Sequence, residues 1–490
     1  MMPPIVALSS LPLLFCRLRR PDALLAIAFL TAAISTASTD DRDSSSSIVT
    51  GSPTPVIVVP GISGTQLEDP RNGAIVWGRA RQLMRPRDGG YSLALPLDLD
   101  HTPPHPQERY QPTGPVWQMN LIFWKKKIYR PLADHLEQAG YRLGSLDDPV
   151  LDDSLFFFDY DWRQSTVESA LRLAEAVERL NERRGAKQQV DLICQSNAAK
   201  ICRYLVKYGG ATLEEASAGR VSQHAGRHIR KVIMVGASND GALRILAFLN
   251  RGRRYIPLIG RRISQEAFFT LRSLFDDLPA PTDDLFFDTQ GQPLEIDLFR
   301  TENWVTYGWS VFGTKTRRRL ERGVRKDLFG SEDDRLRHLE RQLARARRFQ
   351  DLLSHDSPRF PPVRYYRLEN QSEPTMVRAL VFQHKSAWKT RFFGDRAVGR
   401  KRTLRDLAAA PGDGHASLAS QRRLSPQEEN ALVDAAIIGG GHFEMILEPE
   451  GLNAIVSFLV PSLKKRSTSA TNAPGCSSIG MWPQSSSTVR

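Results

Sequence analysis

Short runs of consecutive apolar residues alternate along this chain with longer segments whose apolar residues recur every three or four positions. The strand-like runs are PVIVVPG (55–61), QQVDLIC (188–194), KVIMVGA (231–237), VRYYRLE (363–369) and DAAIIGG (434–440). The helix-like segments are 166–184, 197–210 and the stretch from about Gly451 to Leu459. Uninterrupted apolar strands are typical of a sheet buried on both faces, and the alternation with amphipathic helices predicts an α/β fold with a mostly parallel central sheet.

Two long segments interrupt this pattern, 66–128 and 241–355, and we expect them to build a cap over one end of the sheet. Within the second, residues 331–353 predict a helix with one apolar stripe and arginines around the rest. The stripe consists of Leu336, Leu339, Leu343, Ala346, Phe349 and Leu353. The helix either packs on the core with a solvated basic face or docks on a membrane, an alternative that the basic run at 315–326 keeps open.

The two ends of the chain differ from the rest. Basic residues precede the apolar run ALLAIAFLTAAI (23–34), and small residues follow it, so residues 1–38 predict a signal peptide or, alternatively, an uncleaved anchor. We therefore expect an exported protein, secreted or periplasmic, that could stay associated with a membrane. Residues 39–49 are predicted to be a polar linker, residues 50–463 the folded domain, and residues 464–490 a disordered tail.

Charge and cysteine content narrow the classes of ligand. The formal net charge is +13 and the pI near 9.7, which suits an anionic partner, but the aromatic interleaving of a nucleic-acid platform is absent, so we expect no nucleic-acid partner. The four cysteines lack metal-ligand spacing, so we expect no metal and no cofactor. Cys194 and Cys202 are interpreted as small buried apolar residues rather than as a disulfide.

The stretch DLICQSNAAK (191–200) places Ser196 between a predicted strand and a predicted helix. A serine at such a turn is a candidate nucleophile, although a serine before a helix is more often only an N-cap. The later loops PGDGHASLAS and GGGHFEMILEPEG supply Asp413 and His442, so the chain offers serine, acid and histidine in the order used by α/β hydrolases. His415 is a competing base, but it lies only two residues beyond Asp413 and is poorly placed to pair with it.

An acyl-transfer site also needs backbone donors for the oxyanion. The residue after the nucleophile, Asn197, would supply one amide, and the turn VVPGISG (58–64) would supply another from Ile62. Gly61 and Gly64 would let that turn approach the serine, although a plain tight turn would also use them.

Several blocks in this order resemble the lecithin:cholesterol acyltransferase family, which includes phospholipid:diacylglycerol acyltransferases and lysosomal phospholipase A2. The blocks are PVIVVPGISGTQLE (55–68), FFFDYDWRQS (156–165) with its YDWR run, VDLICQSNAAKICRYLVKYGG (190–210), VGASNDGALRIL (235–246), PGDGHASLAS (411–420) and GGGHFEMI (439–446). The resemblance implies the α/β-hydrolase fold. It also implies a Ser196, Asp413 and His442 triad and an oxyanion hole from the amides of Ile62 and Asn197.

The chain departs from the family pattern at a few positions. Gln195 stands where many members have histidine, Asn197 and Ala198 where they have methionine and glycine, and His415 and Ala416 where they have threonine and valine. No cysteine lies in 66–128, so the lid disulfide of the animal enzymes cannot form. Trp77, Leu83, Met84, Trp117 and Trp124 could contact lipid or belong to the core, and Asp161 and Arg163 of YDWR are interpreted as a structural ion pair.

The expected activity is an O-acyltransferase that moves an acyl group from a glycerolipid or phospholipid, through an acyl-serine, to an alcohol. A phospholipase or lipase that passes the acyl group to water is the alternative. A catalytically inactive lipid-binding protein is a third hypothesis, because the elbow CQSNA lacks the usual glycines. The expected partners are an acyl lipid, an alcohol acceptor and a membrane surface.

Overall fold

The computed structural model describes residues 53–84, 88–97, 105–120, 125–184, 189–222, 225–255, 261–281 and 284–460. The predicted signal or anchor, linker and tail lie outside the described residues. Within the described residues the strands are β1 (Val56–Val59), β2 (Thr65–Asp69), β3 (Ala74–Trp77), β4 (Gln111–Pro115), β5 (Gln118–Asn120), β6 (Lys125–Lys127), β7 (Leu155–Phe157), β8 (Val190–Gln195), β9 (Ile229–Val235), β10 (Phe286–Phe287), β11 (Arg364–Glu369), β12 (Glu373–Met376), β13 (Ala379–His384), β14 (Ala387–Arg391), β15 (Ala409–Gly412) and β16 (Leu432–Ile437).

The α-helices in the same part of the chain range from single turns to six turns. They are α1 (Ala80–Met84), α2 (Arg130–Gln138), α3 (Thr166–Arg183), α4 (Ala198–Tyr208), α5 (Leu213–Ser217), α6 (Leu243–Arg251), α7 (Gln265–Phe269), α8 (Arg272–Asp276), α9 (Thr301–Thr306), α10 (Thr314–Glu321), α11 (Lys326–Phe329), α12 (Glu332–Ser354), α13 (Arg396–Gly399), α14 (Arg402–Ala408), α15 (Leu418–Arg422), α16 (Pro426–Asn430) and α17 (Pro449–Leu459). No helix of the described chain is both long enough and apolar enough to cross a bilayer.

A six-stranded, fully parallel sheet forms the centre of the molecule, in the order β16-β11-β9-β8-β1-β7. The five strands predicted from apolar runs are all members of this sheet, and only the edge strand β7 was not predicted. Helices follow the strands as βα units, so the predicted α/β-hydrolase fold is confirmed.

Both faces of the sheet are buried, which explains the uninterrupted apolar strands. Ile57 and Val59 of β1 belong to the core shared with α3 and α4, whereas Val56 and Val58 belong to the core shared with α2 and α17. Because successive side chains of a strand point to opposite faces, an all-apolar strand satisfies both cores at once.

The two segments predicted as insertions carry most of the elements outside the central sheet. The first contains the small antiparallel sheet β3-β2-β4, and the second contains α6 to α12. The apolar stripe of α12 is buried against the main core, with Leu336 partly buried, as the helix-on-core interpretation predicted. Trp77 is buried and Trp117 is half-buried; the side chains of Leu83 and Met84, and all of Trp124, lie outside the described residues.

Asp161 and Arg163 form the buried ion pair expected of the YDWR run. The guanidinium of Arg163 donates to both carboxylate oxygens of Asp161, at 2.8 and 2.7 Å, and to the carbonyl of Gln107 at 2.8 Å. The indole of Trp162 donates to the carbonyl of Thr65, so the run ties the loop after β7 to the first insertion. The structural interpretation of this pair is confirmed.

The prediction for two cysteines was wrong: Cys194 and Cys202 form a disulfide bond. Cys194 lies on β8 and Cys202 one turn into α4, and the sharp turn between the two elements brings their Cα atoms to 6.7 Å. Sequence spacing suggested no such contact, because the distance depends on how tightly the chain reverses at Ser196.

Candidate active site

Ser196 occupies a strained turn between β8 and α4. Its φ of 61° lies in the left-handed region, which a non-glycine residue adopts only where the surroundings enforce it. The backbone N–H of Ser196 donates to the carbonyl of Val235 on the neighbouring strand β9, which fixes the turn to the sheet. Serine at such a turn projects its hydroxyl away from the strand end, as a nucleophile requires.

The structure brings the three predicted side chains together. Ser196 Oγ lies 2.8 Å from Nε2 of His442, and Nδ1 of the same imidazole lies 2.7 Å from Oδ2 of Asp413. His442 follows β16 of the central sheet, whereas Asp413 follows β15, which pairs with β12 in a separate two-stranded sheet. The arrangement has the connectivity needed to pass a proton from a serine to an imidazole that a carboxylate orients.

The carboxylate of Asp413 is buried and accepts several hydrogen bonds. Its Oδ1 accepts the backbone N–H groups of His415 at 2.8 Å and Ala416 at 2.7 Å, which leaves Oδ2 for His442. Burial opposes ionisation, but the charge and hydrogen bond of His442 outweigh it and lower the pKa of Asp413 below its ordinary value. The acid is therefore a carboxylate at neutral pH.

Gly236, directly after β9, makes room for this pair. A Cβ at this position would lie 2.7 Å from Cε of Met445, 3.1 Å from Oδ2 of Asp413 and 3.4 Å from Nδ1 of His442, and the residue has a φ of +54°. Sequence reasoning did not assign Gly236 a role, although a glycine directly after a buried strand is a signal of close approach.

The turn after β1 packs against the nucleophile through Gly61. A Cβ there would lie 2.6 Å from Oε1 of Gln195 and 3.0 Å from Cβ of Ser196, so only glycine fits. Oε1 of Gln195 accepts the N–H of Gly61 at 3.1 Å and the hydroxyl of Tyr129 at 2.9 Å. Since both partners donate, the amide orientation of Gln195 is determined, and this residue holds the turn.

The two residues predicted to form the oxyanion hole, Ile62 and Asn197, are both adjacent to residues of the site described above. Ile62 follows Gly61 and lines the pocket in front of Ser196, and Asn197 follows Ser196 at the start of α4. Within the described chain, neither backbone N–H donates to another protein group. Their role as an oxyanion hole remains a prediction.

His415 is next to the site but is not the partner of Ser196. Its ring packs on that of His442, with centroids 4.6 Å apart, and its Nε2 lies 3.8 Å from Oδ2 of Asp277. Burial lowers the pKa of His415 to about 4, so it is neutral near neutral pH. The expectation that it would not pair with Asp413 through its side chain agrees with this geometry.

A buried ion pair behind the pocket was missed by sequence reasoning. Nζ of Lys200 on α4 lies 2.9 Å from Oδ1 of Asp277, which also accepts the hydroxyl of Ser238 at 2.7 Å. Lys200, Arg203 and Lys207 are all buried, and their spacing of three and four on an otherwise apolar helix is the signal that could have indicated a buried polar stripe. The pair joins the nucleophile's helix to the second insertion.

Ser196 and His442 open into a pocket of about 190 Å³. Its apolar wall comes from residues of the first turn, the YDWR run and the second insertion: Ile62, Trp162, Ile245, Phe248, Phe268 and Leu274. Arg244 and Arg253 also line it. The apolar wall suits a hydrocarbon chain next to a reacting ester.

Comparisons with known proteins agree with the fold and place part of the chain beside a known family. Residues 120–296 match the model of the lecithin:cholesterol acyltransferase family. No curated protein matches the chain. Among solved structures, the chain is similar to one from the Tle4–Tli4 complex, with 12% identity, a TM-score of 0.55 and coverage of 84% of this chain and 99% of that one. The mature lipase BlEst2 of Bacillus licheniformis aligns with 10% identity and a TM-score of 0.29, over 83% of this chain and 92% of that one.

Proposed function

We propose that this chain, whose residues 120–296 match the lecithin:cholesterol acyltransferase family, is a serine O-acyltransferase that moves a fatty acyl group from a glycerolipid or phospholipid to an alcohol. The family match and the α/β-hydrolase fold support an enzyme that handles lipid acyl groups. The observation that carries the proposal is the continuous contact from Ser196 through His442 to Asp413.

The chemistry follows from the position of each group. Ser196 Oγ attacks the ester carbonyl while His442 takes its proton, and the carbonyl oxygen becomes an oxyanion that accepts the amides of Ile62 and Asn197. When the carbon–oxygen bond of the leaving alcohol breaks, the imidazolium of His442 returns the proton to that oxygen. The acyl-serine is then attacked by a second alcohol, whose proton passes to His442 and back to Ser196. Asp413 keeps the imidazole in place throughout.

The acceptor decides whether the reaction is transfer or hydrolysis. Water and alcohols compete for the same acyl-serine, and exclusion of water favours the alcohol. The apolar residues with which the second insertion lines the pocket support transfer as the first choice. A phospholipase or lipase is the alternative, because the same groups activate water equally well.

The altered elbow does not favour the inactive lipid-binding hypothesis. Cys194 and Ala198 stand where glycines are usual, yet Ser196 still adopts the left-handed conformation and contacts His442. The disulfide from Cys194 to Cys202 spans the turn and links the strand before Ser196 to the helix after it. A disulfide also persists best in an oxidising compartment, which supports the proposed export of the protein.

The test is incubation of the purified protein with acyl-labelled phospholipid and a long-chain alcohol, comparing the wild type with Ser196→Ala. The wild type is expected to form labelled ester in excess of labelled fatty acid, and the variant neither product. Ser217→Ala, which removes a hydroxyl bonded only to the carbonyl of Leu213 on α5, is the matched control and should keep both. Fatty acid in excess of ester would select the lipase alternative, and unchanged turnover in Ser196→Ala would refute both.

A further inference from the structure

The outer face of α6 carries positive charge from the mouth of the pocket outward. Arg244, Phe248 and Arg251 lie at positions four and three apart, on one face of the helix. Arg244 and Phe248 line the pocket of Ser196, and Arg251 lies two turns, about 10 Å, further along the helix. The helix therefore links the catalytic pocket to the surface around Arg251.

Arg253 adds a positioned guanidinium at the same mouth. It lies 4.6 Å from the ring centroid of Phe248 and 4.3 Å from that of Tyr255, so two aromatic rings hold it without neutralising it. A partly enclosed position, together with the charges of Arg253 and Arg251, lowers the pKa of Arg244. Arg253 and Arg251 thus both act on the charge of Arg244, while the nearby carboxylate of Asp413 opposes them.

A second depression, of about 440 Å³, continues this surface beyond Arg251. It is lined by Arg251, Arg391, Asp395, Arg396, Ala397 and Arg400. Asp395 pairs with Arg251 at 2.6 Å. Within the described residues, no carboxylate pairs with the other three arginines, so one negative charge faces four positive ones.

The strongly basic run at 315–326 differs from this surface because carboxylates pair with more of the arginines in and around it. Six of the eleven arginines in the segment from α10 to α12 are paired with carboxylates. The pairs are Arg317 with Glu321 and Glu332, Arg319 with Glu266, Arg325 with Asp327, Arg337 with Asp334, Arg345 with Asp276 and Arg347 with Asp297. Of the two basic regions, the one at the pocket mouth has the larger share of charge without a carboxylate partner.

We propose that Arg251, Arg391, Arg396 and Arg400, the arginine depression, dock the protein on a membrane surface that carries anionic phosphate headgroups. Guanidinium groups match phosphate oxygens in charge and geometry, and a cluster of them is attracted to an anionic leaflet. Docking there brings the mouth of the pocket, with Phe443 exposed beside His442, to the lipid. The inference rests on the proposed function.

The test measures sedimentation of the full chain with vesicles of phosphatidylcholine, with and without phosphatidylglycerol. One variant carries Arg391→Gln, Arg396→Gln and Arg400→Gln. The matched control carries Arg318→Gln, Arg322→Gln and Arg348→Gln, which removes the same charge from exposed arginines of α10 to α12 and the turn between them. Turnover of the soluble ester p-nitrophenyl butyrate checks the fold and the chemistry of every protein.

The wild type should bind the vesicles that contain phosphatidylglycerol and release them at high salt. The depression variant should bind them at least about tenfold more weakly, and the control by less than about twofold, with ester turnover equal in all three. Equal losses in both variants, or no loss in the depression variant, would overturn the proposal. So would a stronger, depression-dependent complex with duplex DNA than with vesicles. Failure of the wild type to cleave the ester would count against the proposed function and leave the vesicle result intact.

Discussion

Nδ1 of His442 and Oδ2 of Asp413 lie 2.7 Å apart, although the two residues follow strands of two different sheets. Asparagine at position 413 keeps the shape of the side chain but removes the charge that stabilises an imidazolium. We expect Asp413→Asn to lower kcat on a soluble ester by about a thousandfold or more, with a small change in melting temperature. Asp152→Asn, at an exposed acid, is the control. A loss below about tenfold would argue against a role for this carboxylate.

Gln195 is predicted to act through the turn that it holds. Replacement by leucine removes the acceptor of Tyr129 O–H and one of the two acceptors of Gly61 N–H, the other being the Tyr129 hydroxyl, so the amide of Ile62 should lose its position. We expect kcat to fall by roughly a hundredfold, in the range found for loss of one oxyanion donor, with KM changed little.

Two further variants separate positioning from simple destabilisation. Tyr129→Phe removes the hydroxyl that donates to Gln195 and accepts Gly61 N–H, so it should lower kcat by an amount similar to Gln195→Leu. Gln195→His restores an acceptor of the kind common in the family and should recover part of the activity. If all three variants lose activity in proportion to their melting temperatures, the role is structural only.

The disulfide between Cys194 and Cys202 is predicted to stabilise the elbow. For a loop this short, the loss of unfolded-state entropy amounts to about 2–3 kcal/mol. The double variant Cys194→Ala and Cys202→Ala should therefore unfold at lower denaturant concentration than the oxidised wild type. Dithiothreitol should lower the midpoint of the wild type and leave that of the double variant unchanged. Recovery of peptides with both thiols free from unreduced protein would contradict the bond.

Acid should destabilise the fold through two buried histidines. Burial lowers the pKa of His338 to about 3 and that of His415 to about 4, against an ordinary value near 6.5. A histidine whose folded pKa is depressed contributes stability above its unfolded pKa and loses it as the pH falls, so the loss begins near pH 6.5 and continues to about pH 4 and below.

The measurement is the free energy of unfolding between pH 7 and pH 4. His338→Gln, which can still donate to the carbonyl of Phe269, should remove up to about 1.4 kcal/mol per pH unit from the slope. His384→Gln, at an exposed position of β13, should leave the slope as it is. Equal slopes for wild type and His338→Gln would refute the assignment.

The sequence was sufficient for five of the six central strands and for the placing of Ser196 and His442 at their ends. Apolar runs predict strands wherever both faces are buried, and the residues after such strands must share one edge, which places Ser196 and His442 near each other. The contact between Cys194 and Cys202 could not be predicted this way, because it depends on the tightness of the turn at Ser196.

The position of unpaired charge on the surface was the property hardest to predict from the sequence. The run at 315–326 is the densest in basic residues, yet carboxylates distant in sequence, such as Glu266, neutralise part of it. The arginines at 251 and 391–400 lie far apart in the chain and become one surface only when α6 and the loop after β14 meet. Contacts between residues so far apart in the chain leave no recognisable pattern in the local sequence.

The central claim is that Ser196 is a nucleophile activated by His442. The most direct measurement is labelling with a fluorophosphonate probe, followed by mapping of the modified peptide. We predict stoichiometric modification of Ser196 in the wild type and labelling at least about a hundredfold slower in His442→Ala. Wild-type protein that binds lipid but leaves Ser196 unmodified would contradict the account.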